Sequence, residues 1–291
     1  MNILNLGSLN IDYIYRVPHF VQPGETLKSL SFNTIAGGKG NNQSIALARA
    51  GAQVLHCGRI GPHSEFLYDL LRHENVDVSQ IQLTETPTGH AIIQVNNDGE
   101  NSIILYPGAN HTFTEKDLCD VFENFDSKTL FLTQNETNLV GSAIQHALEK
   151  EMLVFFNPAP FTPEVLDFPL HDIHCLVVNF TEGQQITKKS SPEEIYAALK
   201  TLYPKTNLLL TLGKEGVWCY WDGKDYRQPI IPTKAIDTTA AGDTFIGYFI
   251  ASLYHHQLSV AESLNKACQA ASLCVSRPGA SASIPLWDEC K

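Results

Sequence analysis

The chain has 291 residues with a net charge of −11, 43% hydrophobic and 18% charged residues. That length and apolar content support a large buried core. The acidic balance repels nucleic acid and anionic membrane surfaces at long range, so neither is expected as a partner, and an anionic substrate needs a local positive site. Seven cysteines, an odd number without a Cys-x-x-Cys pair, point to reduced thiols and a cytoplasmic setting. No basic, apolar leader and no apolar stretch of about 20 residues occurs, so neither a signal peptide nor a membrane span is expected.

In chain order, Ile3 to Leu6 reads as a short buried strand stopped by Gly7. Gly7-Ser8-Leu9-Asn10-Ile11-Asp12 then alternates, which places Asn10 and Asp12 on one side of an extended segment, although Asn and Asp after a strand are also ordinary turn formers. Tyr13 to Val17 and Leu27 to Ile35 read as two more strands. Gly37-Gly38-Lys39-Gly40-Asn41-Asn42 is a dense polar cluster leading into a small-residue helix, Ser44 to Ala50, closed by Gly51. Its glycines permit close backbone approach at a helix start, where unpaired N–H groups favour an anion. It is not a Walker A loop, because Asn41 and Asn42 follow Gly-Lys-Gly, and no Gly-x-Gly-x-x-Gly follows a strand anywhere.

From Ala52 onward strands and helices alternate: strand 53–57, helix 64–73, helix 114–124, strand 129–134, helix 138–150, strands 152–157, 174–179 and 208–212. Thr88 to Val95 and Ser102 to Tyr106 pair around the turn Asn96-Asn97-Asp98-Gly99. Ser191-Pro192-Glu193-Glu194 is a capping box, and Ser259 to Glu262 caps the last long helix. This rhythm predicts one α/β domain over 1–291, with a mostly parallel sheet covered on both faces. The alternating strands of about 11–35 and 88–107 form a separate small sheet. His171 and His174 in a loop, and His255-His256 at a helix end, are read as solvated or structural rather than ligating.

The densest stretch is Ile236-Asp237-Thr238-Thr239-Ala240-Ala241-Gly242-Asp243-Thr244-Phe245. A polar run opens into an apolar helix at Gly242, with Phe245, Ile246, Phe249, Ile250 and Leu253 on one face. Ala240, Ala241 and Gly242 leave their N–H groups approachable at the positive end of the helix. Asp243 is either a first-turn acid, with Asp237 or Thr238 as cap, or a base beside an anion hole.

Three clusters together, Gly7–Asp12, Gly37–Asn42 and Asp237–Phe245, resemble the ribokinase family of carbohydrate kinases. The likeness continues through Asn179-Phe180-Thr181-Glu182, Thr211–Gly216 and Arg277–Ala280, and so covers nearly the whole chain. The resemblance implies a three-layer α/β sandwich whose small β-sheet is a lid over a sugar, with ATP at the carboxyl ends of the parallel strands. It implies an ATP-dependent phosphotransferase, with D-ribose the leading substrate and a nucleoside kinase or a sugar sensor as alternatives. On this resemblance Asp243 is the base and Ala240, Ala241 and Gly242 hold the transferring phosphate's charge. Asn10, Asp12, Gly38, Lys39, Asn42 and Glu136 match sugar-contacting positions. Asn179, Thr211, Gly213 and Gly216 match nucleotide-contacting ones, and Glu182 organises Mg2+ through water. Asp237, Thr239, Cys274, Arg277, Gly279 and Ser283 match a K+ site, and the lid implies a homodimer. Asn41, Phe180 and Pro278 depart from the family's usual residues; Asn41 bears on sugar choice.

Overall fold

The computed structural model describes residues 1–290, and no helix among them is long and apolar enough to cross a membrane. The first half runs β1 (Asn2–Leu6), β2 (Asn10–Arg16), β3 (Ser31–Gly37), α1 (Lys39–Arg49), β4 (Val54–Ile60), α2 (Glu65–His73), β5 (Asp77–Leu83), β6 (Gly89–Val95) and β7 (Asn101–Tyr106). Then come α3 (Glu115–Phe122), β8 (Thr129–Gln134), α4 (Val140–Glu149), β9 (Leu153–Asn157), β10 (Cys175–Asn179), α5 (Phe180–Thr187) and α6 (Pro192–Leu202). The chain closes with β11 (Asn207–Thr211), β12 (Val217–Trp221), β13 (Lys224–Gln228), α7 (Ala241–Ile250) and α8 (Val260–Val275).

Nine strands form the main sheet in the order β13-β12-β11-β10-β9-β8-β1-β4-β5. It is parallel from β5 to β11 and antiparallel only at the β11–β12 and β12–β13 pairings. Its central strands are apolar on both faces because helices cover both, as parallel sheets require. Along β8, Leu130 and Leu132 pack toward α1, α2, α7 and α8, while Phe131 packs toward α3, α4, α5 and α6. That is the three-layer sandwich. The second sheet has four strands, β3-β2-β6-β7, drawn from Asn10–Gly37 and Gly89–Tyr106, against an expectation of about 11–35 and 88–107.

β1 leaves the main sheet at Gly7 and re-enters the chain's second sheet three residues later, at Asn10. The small sheet is therefore tied directly to the carboxyl end of a central strand. β3 returns the chain straight into α1, whose first residue is Lys39 rather than the expected Ser44. Gly38 joins them at φ 95°, and a Cβ there would crowd the Ser8 backbone and hydroxyl. Only glycine makes that corner without strain.

Several boundaries differ from the expected ones. β3 begins at Ser31 instead of Leu27, and β2 covers Asn10–Arg16 rather than starting at Tyr13. β5, β12 and β13 were not anticipated. Ser259 and Glu262 form the full capping box. Ser191 only half does so: it accepts from the Glu194 N–H, but the Glu194 carboxylate takes the serine hydroxyl. α7 opens at Ala241, one residue before Gly242. Its N-cap is Ala240, in the left-handed region at φ 60°, so neither Asp237 nor Thr238 caps it.

Candidate active site

The residues singled out in the sequence gather at the carboxyl ends of the parallel strands. Glu136 follows β8, Asn179 ends β10 and Thr211 ends β11. Asn10 and Asp12 lie on β2, Lys39 and Asn42 on α1, and Asp243 on α7. Ligands in open α/β sheets sit at this edge.

Asp243 is 7% exposed. Its Oδ2 accepts from Asn42 Nδ2 at 3.1 Å, and its Oδ1 from Gln43 Nε2 at 2.9 Å. Ala240 has no capping oxygen to offer α7. A backbone partner for the Ala241 N–H is Thr238 O at 3.3 Å, a long contact. Gly242 has open space where a side chain would stand. A helix start with uncapped N–H groups, fronted by glycine, can receive an anionic oxygen.

Lys39 faces Asp243, Glu136 and Glu182. Burial works against its charge, but those three carboxylates outweigh it and hold the ammonium above its usual range. Glu136 Oε2 accepts from Ser8 Oγ at 2.5 Å and from the Lys39 N–H at 2.8 Å. Burial nevertheless raises the Glu136 carboxyl, against the pull of Lys39.

Asp12 is the opposite case. Burial, with the Glu136 charge adding to it, pushes its carboxyl up to about 6. No protein donor contributes to that balance. Its carboxylate packs against the Cα of Gly37 on the paired strand, where any side chain would collide with it. Asn10 Oδ1 accepts from Asn110 Nδ2 at 2.8 Å, and Asn110 Oδ1 takes the Leu9 N–H at 3.0 Å. Asn110 was not foreseen.

Asn179 and Glu182 cap α5 reciprocally. The Asn179 N–H and Nδ2 both donate to the Glu182 carboxylate, at 2.9 and 2.8 Å, and the Glu182 N–H returns to Asn179 Oδ1. Burial raises the Glu182 carboxyl, with Lys39 opposing and Asp243 adding. No cluster of three or more His, Cys, Asp or Glu among the described residues forms a ready-made metal cage. A cation here would meet these carboxylates through water, and their excess over Lys39 suits a divalent ion. Thr211, Gly213 and Gly216 form the turn from β11 into β12, one strand further along the edge.

The loop at 237–239 meets the end of α8 at Cys274 and the segment that follows it to Ser283. Asp237 Oδ1 accepts from the Thr239 N–H at 2.9 Å and Oδ2 from the Gly279 N–H at 3.0 Å. Burial opposes that carboxylate, but the donors prevail and hold it below its usual range. Cys274 Sγ lies 3.0 Å from Ser283 Oγ and 3.6 Å from Thr239 O. The Arg277 guanidinium turns away to Glu289 at 2.6 Å, so this residue offers the loop only its carbonyl. The Asp237 carboxylate, Thr239 O and Ser283 Oγ thus lie in one corner with a single formal negative charge. Two surface clefts of about 460 Å³ lie elsewhere, one beside Tyr196 and Arg227 and one beside Gln53 and Asp77.

Residues 2–287 match the model of the pfkB family carbohydrate kinases, and the chain belongs to that family. It is accordingly a phosphotransferase with an alcohol group as acceptor. Within the family it is similar to ribokinases. It is 36% identical to the ribokinase of Staphylococcus aureus (strain COL), over 99% of this chain and 97% of the relative. The ribokinase of Cryptococcus neoformans var. grubii serotype A in complex with ADP superposes with a TM-score of 0.85 at 30% identity, over 99% of this chain and 98% of that one. Arabidopsis thaliana ribokinase complexed with ribose and ATP gives a TM-score of 0.86 at 28% identity, over 99% and 96%.

Proposed function

We propose that this protein transfers the γ-phosphoryl group of ATP to the primary hydroxyl of D-ribose, forming D-ribose 5-phosphate and ADP. The observation that carries the reading is Asp243: a buried carboxylate, fixed by Asn42 and Gln43, immediately after the uncapped helix start at Ala240–Gly242. Asp243 accepts the hydroxyl proton as the sugar oxygen bonds to the γ-phosphorus and the bond to the ADP oxygen breaks. The backbone N–H groups at Ala241 and Gly242 meet the charge on the transferring group. Phosphoryl transfer asks mainly for positioning and charge stabilisation.

Asp12, half-buried and without a protein donor, is suited to accept from two adjacent sugar hydroxyls. Asn10, Gly38, Lys39, Asn42 and Glu136 complete the sugar side, and Asn179, Thr211, Gly213 and Gly216 the nucleotide side. Glu182, with Asn179 beside it, would hold Mg2+ through water, and the ion would supply positive charge against the phosphates. K+ held by Asp237 and the carbonyls of Thr239, Cys274, Arg277 and Gly279, with Ser283, would order the loop into α7 and so raise turnover.

The small sheet acts as the lid, and its outer surface favours a second copy of the chain. β7 is exposed along its whole length, and Ile103, Ile104, Leu105 and Tyr106 are each at least 44% exposed. An apolar strip of this kind marks a surface that a partner covers. Seven free cysteines, six of them buried, suit a reducing cytoplasm.

The test is ADP release across a panel of pentoses, hexoses and nucleosides. D-ribose should give the highest kcat/KM. A nucleoside that outruns it would replace the substrate assignment, and tight sugar binding with no ADP release would replace the enzyme by a sensor.

A further inference from the structure

Both oxygens of Asp243 are held by carboxamides, and each of those carboxamides is itself held by another. On one side Gln134 Nε2 donates to Gln43 Oε1 at 2.7 Å, and Gln43 Nε2 donates to Asp243 Oδ1 at 2.9 Å. On the other, Asn41 Nδ2 donates to Asn42 Oδ1 at 3.3 Å, and Asn42 Nδ2 donates to Asp243 Oδ2 at 3.1 Å. We propose that Gln43, oriented by Gln134, is a positioning residue that sets the direction of the Asp243 carboxylate for proton transfer. The inference rests on the reading of Asp243 as the base.

The argument is one of hydrogen-bond polarity. An ionised carboxylate only accepts, so Gln43 must present its NH2 to Asp243 and its oxygen backward. That oxygen then needs a donor, which Gln134 supplies. The same Gln134 Nε2 also donates to Asn5 Oδ1 at 2.9 Å. Asn5 Nδ2 in turn donates to Gly40 O at 2.9 Å and Ser44 Oγ at 2.8 Å. Ser44 Oγ, accepting from Asn5, has its own proton free for His56 Nδ1 at 2.8 Å. His56 is fully buried, and burial pushes its imidazole down to about 4, so it is neutral and able to accept. Gln134 Nε2 therefore donates in both directions, through Gln43 toward Asp243 and through Asn5 and Ser44 toward a neutral His56. Gln43, Asn5, Ser44 and His56 are each 0% exposed and Gln134 is 1% exposed, so water does not compete for these bonds.

The chain of amides also crosses the fold. It joins β1, β4, β8 and α1 to the first turn of α7. A flipped amide anywhere in it would set two acceptors against each other, although Gln134 Oε1, Asn41 Oδ1 and His56 Nε2 themselves have no partner among the described residues. Gln43 stands behind the carboxylate and is distinct from Asn42, whose position already belongs to the sugar side.

Other charged and titratable groups face Asp243: Lys39 of α1, Glu136 beyond β8, Glu182 of α5 and Cys274 of α8. Gln43→Met and Gln134→Met leave all of them in place, so a change in the pH profile reports the amide relay. Gln43→Met should lower kcat up to about 10²-fold with little change in KM for ATP, as misdirection of a reacting group does. The acid limb of kcat against pH should move up, because a carboxylate that loses a donor takes a proton more readily. Gln134→Met should move it the same way by less, and adding it to Gln43→Met should move it no further.

Wild type, both single variants and the double are assayed from pH 5 to 9, with Asp243→Asn beside them and sugar binding measured by calorimetry to confirm folding. If Gln43→Met does not fold, Gln134→Met, one link removed, carries the test. A fall in kcat with the acid limb unmoved in either variant would reduce the relay to packing and overturn the inference. Near-native turnover in Asp243→Asn would instead remove the base assignment beneath it.

Discussion

Asp12 and Asp243 are the same side chain placed in opposite surroundings. Asp243 sits at the start of α7 with both oxygens bonded to amides of α1. Asp12 sits on the small sheet, with burial raising its carboxyl to about 6 and no protein donor to offset it. A carboxylate held by the protein at both oxygens has a fixed direction and keeps a lone pair free on each, which suits proton transfer. A carboxylate left without donors gains most from a ligand that brings them. The contrast separates a rigid region, built into the main sheet's edge, from a sheet whose polar groups are completed by what binds.

The largest expected effect breaks the rigid side. Asp243→Asn should cut kcat by about 10² to 10⁴ with sugar and ATP affinity retained, the usual range for loss of a general base. Steady-state kinetics with calorimetric binding would check it, and near-native turnover would remove the assignment.

Asp12→Ala comes next. It deletes the acceptor for two charge-assisted hydrogen bonds of about 1.5–3 kcal/mol each, so KM for sugar should rise far more than KM for ATP. If ATP affinity falls instead, Asp12 does not face the sugar. The comparison also sharpens with pH. Asp12 titrates near 6 in the folded chain against 3.8 ordinarily, so the stability it contributes is complete below about 3.8 and is lost as pH rises through 6. Sugar hydroxyls favour the ionised form, so binding should weaken as pH falls below 6. About a tenfold loss of sugar affinity is expected at pH 5 relative to the plateau, read by calorimetry on Asp243→Asn so that turnover does not intervene. A flat profile would contradict it.

A smaller effect concerns the loop leading into α7. K+ should raise turnover several-fold over Na+ or tetramethylammonium at constant ionic strength and excess Mg2+, because ordering that loop acts on the helix start without touching substrate. Equal rates in the three salts, or an Asp237→Ala variant with an unchanged salt response, would sink the cation site.

The rigid and the ligand-completed regions were unequally legible in the sequence. Asp12, Lys39, Asn42 and Asp243 stood in short runs with glycine or alanine, where spacing alone marks a backbone that something approaches. Gln43, Gln134, Asn5, Asn110 and Asn157, whose Oδ1 lies 3.4 Å from Gln43 Nε2, carried no such mark. Parallel strands bring their ends together from across the chain: Gln134 ends β8, Asn157 ends β9 and Asn5 is the fourth residue of β1. Their signal was weaker but present, since an amide inside a run as apolar as Phe155-Phe156-Asn157 is unfavourable without a partner. The β12–β13 hairpin had a plainer one. Asp222-Gly223 follows the aromatic-rich Val217–Trp221, and both turn residues have positive φ, at 47° and 80°. β5 reads Asp-Val-Ser-Gln-Ile-Gln-Leu, an edge strand whose alternation breaks between Val78 and Ile81 and which has no turn motif to frame it. The early start of α1 follows from Gly38 taking the corner, which lets Lys39 enter the helix at once.

The most direct test of the contrast is a single set of D-ribose titrations by calorimetry on wild type, Asp12→Ala and Asp243→Asn at pH 7.5, each preparation then assayed for ADP release at saturating ATP. The account predicts that Asp243→Asn binds ribose like wild type and barely turns over. It predicts that Asp12→Ala loses ribose binding but still turns over at very high sugar. Ribose binding lost with Asp243→Asn and kept with Asp12→Ala would contradict it.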